Sequence, residues 1–304
     1  MEVRRLRVLR ELSERGSVGA VADAMSITPS AVSQQLKALE HEAGYGLVEP
    51  AGRGVALTEA GRALARTAVE ILTAIERAEG AWREFMATPA GRVTLATFPT
   101  GGEMLLPGVL ARLADRPDVE LECTDVETSE DDADLTPDHD VVVSDAPVTS
   151  ARWRERGLQV VPLMTEPLDV ALPEGHRLAS RRTLSPRDVA DESWIGVPEG
   201  QPFDQVLQRV VAVTGQPVRV RQRFANNGVV EAMVAAGHGL AILPRFTTRD
   251  HGNGLISRPL TGVVAQRDIS ALLRPDRYER PSVRLVLDAL AAEATAVADS
   301  HRGH

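Results

Sequence analysis

Four polar side chains near the start of the chain share one stripe: Ser30, Ser33, Gln34 and Lys37 stand at i, i+3, i+4 and i+7, the spacing of one face of an α-helix. Hydroxyls and a carboxamide hydrogen-bond the edges of bases in a DNA groove, and a single cation beside them meets a phosphate. The alternative is a solvated helix surface, which usually carries Glu/Lys pairs; this stripe holds serine, glutamine and the only lysine of the chain. On the opposite side Val32, Leu36 and Leu39 recur at i, i+4 and i+7 and predict a buried stripe. Thr28 is placed to cap this helix and Pro29 to take its first position. Upstream, Leu6, Leu9 and Leu12 predict a first helix ended by Gly16, and Ser17 opens a short second helix whose Val21, Ala22 and Met25 pack inward. Downstream, Gly44, Gly46, Gly52 and Gly54 surround Arg53 between short apolar runs. That texture predicts a β-hairpin with an arginine at its tip, suited to a minor groove or, as the alternative, simply solvated.

A second place for chemistry follows the strand predicted over 92–97. Thr100-Gly101-Gly102-Glu103 reads as a capping box that opens a helix to about Asp115. Strand, glycine turn and helix N-terminus together offer a small anionic or polar ligand a place to bind; the alternative is a box that only starts its helix. Between Asp118 and Asp145 the chain places twelve carboxylates and no lysine or arginine. That run reads as a solvated acidic face, the other reading being a cationic ligand or a metal at Asp131, Asp132 and Asp134. The seven histidines are scattered, so no metal site and no cofactor are expected. No His-Glu-x-x-His, Gly-x-Ser-x-Gly or Walker loop occurs, and catalysis has no support.

The elements that position these groups fall into three textures. Short helices with tight turns fill 1–58, one long helix fills 58–87, and β-rich runs alternate with amphipathic helices over 92–300, the pattern of α/β layers. In the long helix Leu64, Ile71, Ala78 and Phe85 recur every seven residues, with Ala68, Ile75 and Trp82 as a second seam. Such an a/d pattern predicts pairing with a partner helix; the alternative is packing on its own domain. Thr88-Pro89-Ala90-Gly91 then breaks the helix and acts as a hinge. Residues 1–58 are neutral, so most of the net charge of -9 belongs to the C-terminal two-thirds and the modules are electrostatically distinct. One cysteine, Cys123, excludes an internal disulfide and any multi-cysteine zinc site. No apolar leader and no membrane-length apolar run is found, so a reducing cytoplasm is the expected compartment.

From Leu6 to Leu64 the residues S-V-G-A-V-A-D-A-M-S-I-T-P-S-A-V-S-Q-Q-L-K-A-L-E, followed by L-T-E-A-G, resemble the winged helix-turn-helix of LysR-type transcriptional regulators. The Thr28–Ser33 segment matches the family's T-P-S-A-V-S start of the recognition helix. Where the family commonly carries L-F-x-R, this chain has Leu47-Val48-Glu49-Pro50. The resemblance implies DNA-facing roles for Thr28, Pro29, Ser30, Ser33, Gln34 and Lys37, a wing contact by Arg53, and dimerisation through Leu64, Ala68, Ile71, Ile75 and Trp82. Further on, Glu166-Pro167-Leu168, Gly175-His176-Arg177-Leu178-Ala179, Trp194-Ile195, Asp140-Val141-Val142-Val143 and Val234 to Pro244 resemble the periplasmic-binding-protein-like effector domain of the same family.

The implied fold is an α/β protein with an all-α, winged-helix N-terminal domain. Its parts would be a DNA-binding domain at 1–58, a linker and hinge at 59–91, and an effector domain at 92–300. The last divides into subdomain I (92–163 plus 268–300) and subdomain II (164–267). By family position the cleft would be lined by Pro99, Thr100, Gly101, Asp145, Pro147, Glu199, Gln201, Phe203, Asn226 and Asn227. The implied partners are a double-stranded DNA operator, a small-molecule effector, a second copy in a homodimer or homotetramer, and RNA polymerase; no membrane is involved. The rival from another class is a solute-binding or enzymatic α/β protein with a helical dimerisation module that never meets DNA. The missing leader weighs against its solute-carrier form.

Overall fold

A computed structural model describes residues 1–52, 54–85, 90–126, 131–146, 150–249 and 252–301. Three helices open the chain: α1 (Val3–Arg15), α2 (Val18–Ala24) and α3 (Pro29–Ala43). Local chemistry sets their ends. Gly16 closes α1 at φ 69°, and the Ser17 hydroxyl accepts the Ala20 N–H at the start of α2. Thr28 caps α3 by accepting from Ala31, with Pro29 in the first turn. A hairpin follows, β1 (Val48–Ala51) paired antiparallel with β2 (Gly54–Leu57). Then comes the 27-residue α4 (Glu59–Phe85), whose first turn is capped by Thr58 accepting the Gly61 N–H at 3.0 Å.

The core of this module joins Leu6, Leu9, Leu12, Val21, Val32, Leu36 and Leu39 to Leu47 and Leu57 of the hairpin region. It also draws in Ala65 and Ala68 of α4. Ala68 therefore does not belong to the seam assigned to it. Its methyl is wholly buried in its own chain, because a three-helix module with few aromatics needs the first turns of α4 to finish its core. The other end of α4 is equally committed. A Cβ on Gly80 would lie 2.5 Å from the Glu279 carbonyl oxygen, so that glycine permits a backbone-close crossing with the C-terminal part of the chain.

The α/β part continues with β3 (Gly91–Thr97), α5 (Pro99–Leu113), β4 (Val119–Asp125), β5 (Val141–Ser144), α6 (Ser150–Glu155) and β6 (Gln159–Pro173). Next come α7 (Pro186–Val189), β7 (Ser193–Gly196), α8 (Pro202–Thr214), β8 (Arg219–Arg223) and α9 (Asn227–Ala235). The chain closes with β9 (Ala241–Pro244), β10 (Leu255–Pro259), β11 (Gln266–Leu273), α10 (Pro275–Tyr278) and α11 (Pro281–Ser300). The principal sheet runs β10-β6-β11-β5-β3-β4, with β9 also on β6. Gln159–Pro173 forms a single strand of 15 residues, β6. Its first part pairs with β11 and its last part with β9 and β10.

Of the cores that result, the larger two pack β3, β5 and β11 under α5 and α11, and gather Leu168, Val170 and Leu172 with Trp194, Phe203 and Leu207; smaller clusters form around Ile195 and Val230 and around Trp153 and Leu272. Much of the acidic run is exposed, at Asp118, Glu120, Glu122, Asp125, Asp134 and Asp138, and part of it is paired. Asp131 and Asp134 share Arg156, and Asp132 accepts a short hydrogen bond from the Ser144 hydroxyl.

Charge joins the two ends of the chain. Arg10 on α1 reaches Asp276 on α10 at 2.9 Å, and Arg274 reaches Glu11 at 3.2 Å and Glu14 at 2.9 Å. Burial pushes the Glu11 carboxyl up, but hydrogen bonds from Arg10 and Arg15, with Arg274 nearby, outweigh it and hold Glu11 at about 2 instead of 4.5. Asp276 is likewise raised by burial but held at about 2, chiefly by Arg274 and Arg10. Burial raises Glu14, which opposes the others. Carboxylates depressed in the fold stabilise it above their unfolded values and lose that contribution as pH falls. The junction should therefore weaken between about pH 4.5 and 2. Glu11→Gln should flatten the pH dependence of unfolding free energy, measured by denaturant titration across that window; an unchanged slope would contradict the network.

Candidate DNA-reading face and effector cleft

On α3 the residues Thr28, Pro29, Ser30, Ser33, Gln34 and Lys37 are all exposed. Some of their polar capacity is already used within the helix. The Thr28 and Ser30 hydroxyls lie 2.9 Å apart, and Ser33 donates to the Pro29 carbonyl at 3.0 Å. His41 extends the same stripe one turn beyond Lys37 and is also exposed. The sequence reading missed it, although its i+4 spacing from Lys37 was visible. Ser26, at φ 53°, is the only non-glycine residue described with positive φ. It sits in the turn between α2 and α3 and sets the angle at which α3 leaves the module; such a conformation costs about 1 kcal/mol. The hairpin register pairs Ala51 with Gly54, and Gly52 turns between them at φ 57°; Arg53 lies outside the described residues. On α4, Ile71 and Trp82 are exposed at 37% and 63%, and Leu64 and Ile75 are half-buried.

Some of the residues expected to line an effector cleft gather around one that was not expected. Arg267, 4% exposed, lies on β11 directly across from Glu166 on β6. Its Nε and Nη2 donate to Glu166 at 2.8 and 2.5 Å, Nη1 donates to Asp145 at 2.6 Å, and Nη2 also donates to the Thr100 hydroxyl at 2.9 Å. The guanidinium carbon stands 4.8 Å from the Phe98 ring centre and 5.2 Å from that of Phe203, within range for cation–π attraction. Burial disfavours the charge on Arg267, but the pull of Glu166 and Asp145 outweighs it and raises the pKa. Burial pushes the neighbouring Asp132 carboxyl up, and Asp145 adds to that rise.

Thr100, Asp145 and Phe203 thus meet at one cation, and Gly101 packs beside them, where a Cβ would lie 2.7 Å from the Phe98 ring. Other expected residues are engaged elsewhere. Glu199 pairs with Arg223 at 3.3 Å and is largely exposed, and Asn226 caps α9 by accepting from Val229. Pro99 is exposed and Gln201 and Asn227 are half-buried, while Pro147 lies outside the described residues. The expected capping box is absent. Phe98 is the N-cap of α5 and Pro99 opens the helix. Glu103 pairs instead with Arg249 at 2.8 Å. Proline's fixed φ and missing N–H suit it to the first helical position, which shifts the start and frees the Thr100 hydroxyl for Arg267. A signal for Arg267 was present: along Gln266–Leu273 it shares the inward face with Ile269 and Ala271, an unusual place for an unpaired charge.

A winged helix-turn-helix, a long helix with an exposed apolar face and an α/β body with a charged cleft define a DNA-binding regulator that answers to a small molecule. Residues 3–62 match the model of the bacterial regulatory helix-turn-helix protein, lysR family, and residues 87–295 match the LysR substrate binding domain. The chain belongs to the LysR family of transcriptional regulators. It is 26% identical over 250 residues to the RuBisCO operon transcriptional regulator of Allochromatium vinosum, covering 81% of this chain and 80% of that protein. It is 25% identical over 288 residues to the DNA-binding transcriptional dual regulator OxyR of Escherichia coli, covering 92% and 93%. In fold it is similar to a full-length OxyR variant from Pseudomonas aeruginosa, with TM-score 0.66, 20% identity and coverage of 96% and 98%. CbnR bound to its target DNA is also similar, with TM-score 0.52, 21% identity and coverage of 97% and 100%. The family match favours the regulator reading over the rival solute-binding or enzymatic one. Among the described residues no helix is long and apolar enough to cross a membrane.

Removing Arg267 would leave Asp145 and Glu166 buried without a counter-charge. Arg267→Ala should cost roughly 3–5 kcal/mol in chemical denaturation. Arg267→Lys should recover only part of it, because one ammonium cannot reproduce the guanidinium fork. A loss below about 1 kcal/mol would show that the cation does not hold the cleft together.

Proposed function

We propose that α3 reads an operator major groove through Thr28, Pro29, Ser30, Ser33, Gln34 and Lys37, with Arg53 entering the adjacent minor groove. The observation that carries this reading is the exposed, polar, nearly uncharged face of α3, opposite a fully buried stripe. Two copies would pair through the exposed side of α4, with Leu64, Ile71, Ile75 and Trp82 in the contact and Ala68 kept within its own module. Paired winged helices suit a pseudo-palindromic site. The division at 58, 91 and 300 is our reading of the modules. The protein would act in the cytoplasm without catalysis, as a dimer or tetramer, and in contact with RNA polymerase.

We place the effector in the cleft, where Thr100, Gly101, Asp145 and Phe203 meet Arg267, with Pro99, Gln201 and Asn227 at the edge. Any ligand there must satisfy or displace the guanidinium, so its recognition is electrostatic before it is steric. The peroxide response named for several relatives is not carried over. Cys123 is the only cysteine, it is half-buried on β4, and burial pushes its thiol up, away from the thiolate that reacts.

In gel-shift titrations on the chain's upstream region, Ser33→Ala or Gln34→Ala should each lose about 1–3 kcal/mol of operator binding. Lys37→Ala should weaken all sequences alike and reduce the salt slope by about one. Unchanged affinity in all three variants would remove α3 from the interface. In sedimentation at micromolar concentration, Ile71→Asp combined with Trp82→Ala should lower the oligomeric mass while the chain stays folded, since both side chains are already exposed in one copy. A wild-type monomer would end the pairing reading.

A further inference from the structure

Away from the cleft, a cavity of about 440 Å³ lies between α4 and the effector domain, lined by Glu76, Ala90, Arg277, Arg280, Pro281 and Ser282. Three features of its wall ask for negative charge. First, α11 is 20 residues long and starts there, its N-cap Arg280 makes no side-chain capping bond, and no acid stands in its first turn. The N–H groups of such a turn and the positive end of the helix dipole favour an anion. Second, Ser282 is 3% exposed, yet its hydroxyl has no hydrogen-bond partner among the described residues. Third, Arg277 Nε is buried without a partner.

The charges do not balance. Arg277 Nη1 at 3.1 Å and Arg280 Nη1 at 2.8 Å both point at one oxygen of Asp140, whose other oxygen already accepts the Thr94 N–H at 3.0 Å. Glu76, across the cavity, lies 3.5 Å from Arg7. Two cations therefore share one carboxylate while Glu76 has its own partner. Burial, with Arg274 and Arg280 close by, pushes the Arg277 pKa down despite the Asp140 and Asp276 carboxylates.

We infer that this cavity is a second ligand site, taking a small oxyanion of the phosphate or carboxylate type on the Ser282 hydroxyl, the first-turn N–H groups of α11 and the Arg277 guanidinium. Its position gives it a regulatory consequence. Glu76 belongs to α4, which carries the DNA-binding module, whereas the anion's holders belong to α10 and α11. An anion beside Glu76 repels α4 and is held by the effector domain, so its binding is coupled to how the two are docked, and operator affinity must shift with occupancy.

The test uses the full-length chain. Thermal midpoints and calorimetric titrations are recorded with inorganic phosphate, sulfate and acetate against chloride at constant ionic strength, for wild type, Ser282→Ala and Ser282→Asp. Phosphate or sulfate raising the wild-type midpoint points to a tetrahedral oxyanion, and acetate alone doing so points to a carboxylate. The apparent Kd of the effective anion should weaken at least tenfold in Ser282→Asp, whose carboxylate occupies the site and should raise the anion-free midpoint. Ser282→Ala should weaken it less. Equal anion responses in all three proteins, or none in wild type, would overturn the site. Operator binding by the same wild-type samples is scored separately, so a failure of the anion site is not confused with a failure of the DNA-reading face.

Discussion

One cross-strand pair organises the α/β body. Arg267 and Glu166 face each other on β11 and β6, and both side chains are shut away from solvent. A guanidinium in so dry a place is tolerable only with its donors occupied and its charge matched. The end of β5 supplies Asp145, the first turn of α5 supplies Thr100, and Phe98 and Phe203 supply ring faces. The segments entering the cleft are where they are because this one charge must be solvated by protein.

The same strand reaches the DNA-binding module. β11 begins beside the cleft with Arg267 and ends at Leu273, and the next residue, Arg274, is bound to Glu11 and Glu14 of α1. An eight-residue strand hydrogen-bonded on both sides is stiff, so cleft and module are held by opposite ends of one element. The glycine at position 80 supplies a second tie, since it lets α4 approach the Glu279 carbonyl closely. The two charged clusters are thus joined by one strand and by the close approach at Gly80.

Membership of the LysR family accounts for the architecture. Cys123 packs half-buried beside the core under α5 and α11. The acidic run between Asp118 and Asp145 is largely a solvated face, as its composition suggests, but part of it is internal wiring: Asp131 and Asp134 hold Arg156, Asp132 meets Ser144, and Asp140 anchors both Arg277 and Arg280. A surplus of acid in the sequence thus became a set of docking points for distant arginines.

What could be read from residues alone was whatever depends on near neighbours. The Thr28 cap reaches three residues ahead and Gly16 closes α1 within one turn, while the stripe of Val32, Leu36 and Leu39 follows from helical geometry. Local pattern also misled. Thr100 and Glu103 have capping-box spacing, but Pro99 took the first helical position. The exposed seam of α4 was visible as a heptad, yet Ala68 could not be told from its neighbours, because only the packed module shows which small side chains it needs. Tertiary structure alone decided the charged sites. The partners of Arg267 lie 101, 122 and 167 positions away along the chain, and Asp140 meets Arg280 across 140. No periodicity links residues at such separations. They meet because hydrophobic burial sets the layers first, and a charge carried inside those layers must then find its counter-charge wherever the fold has brought one.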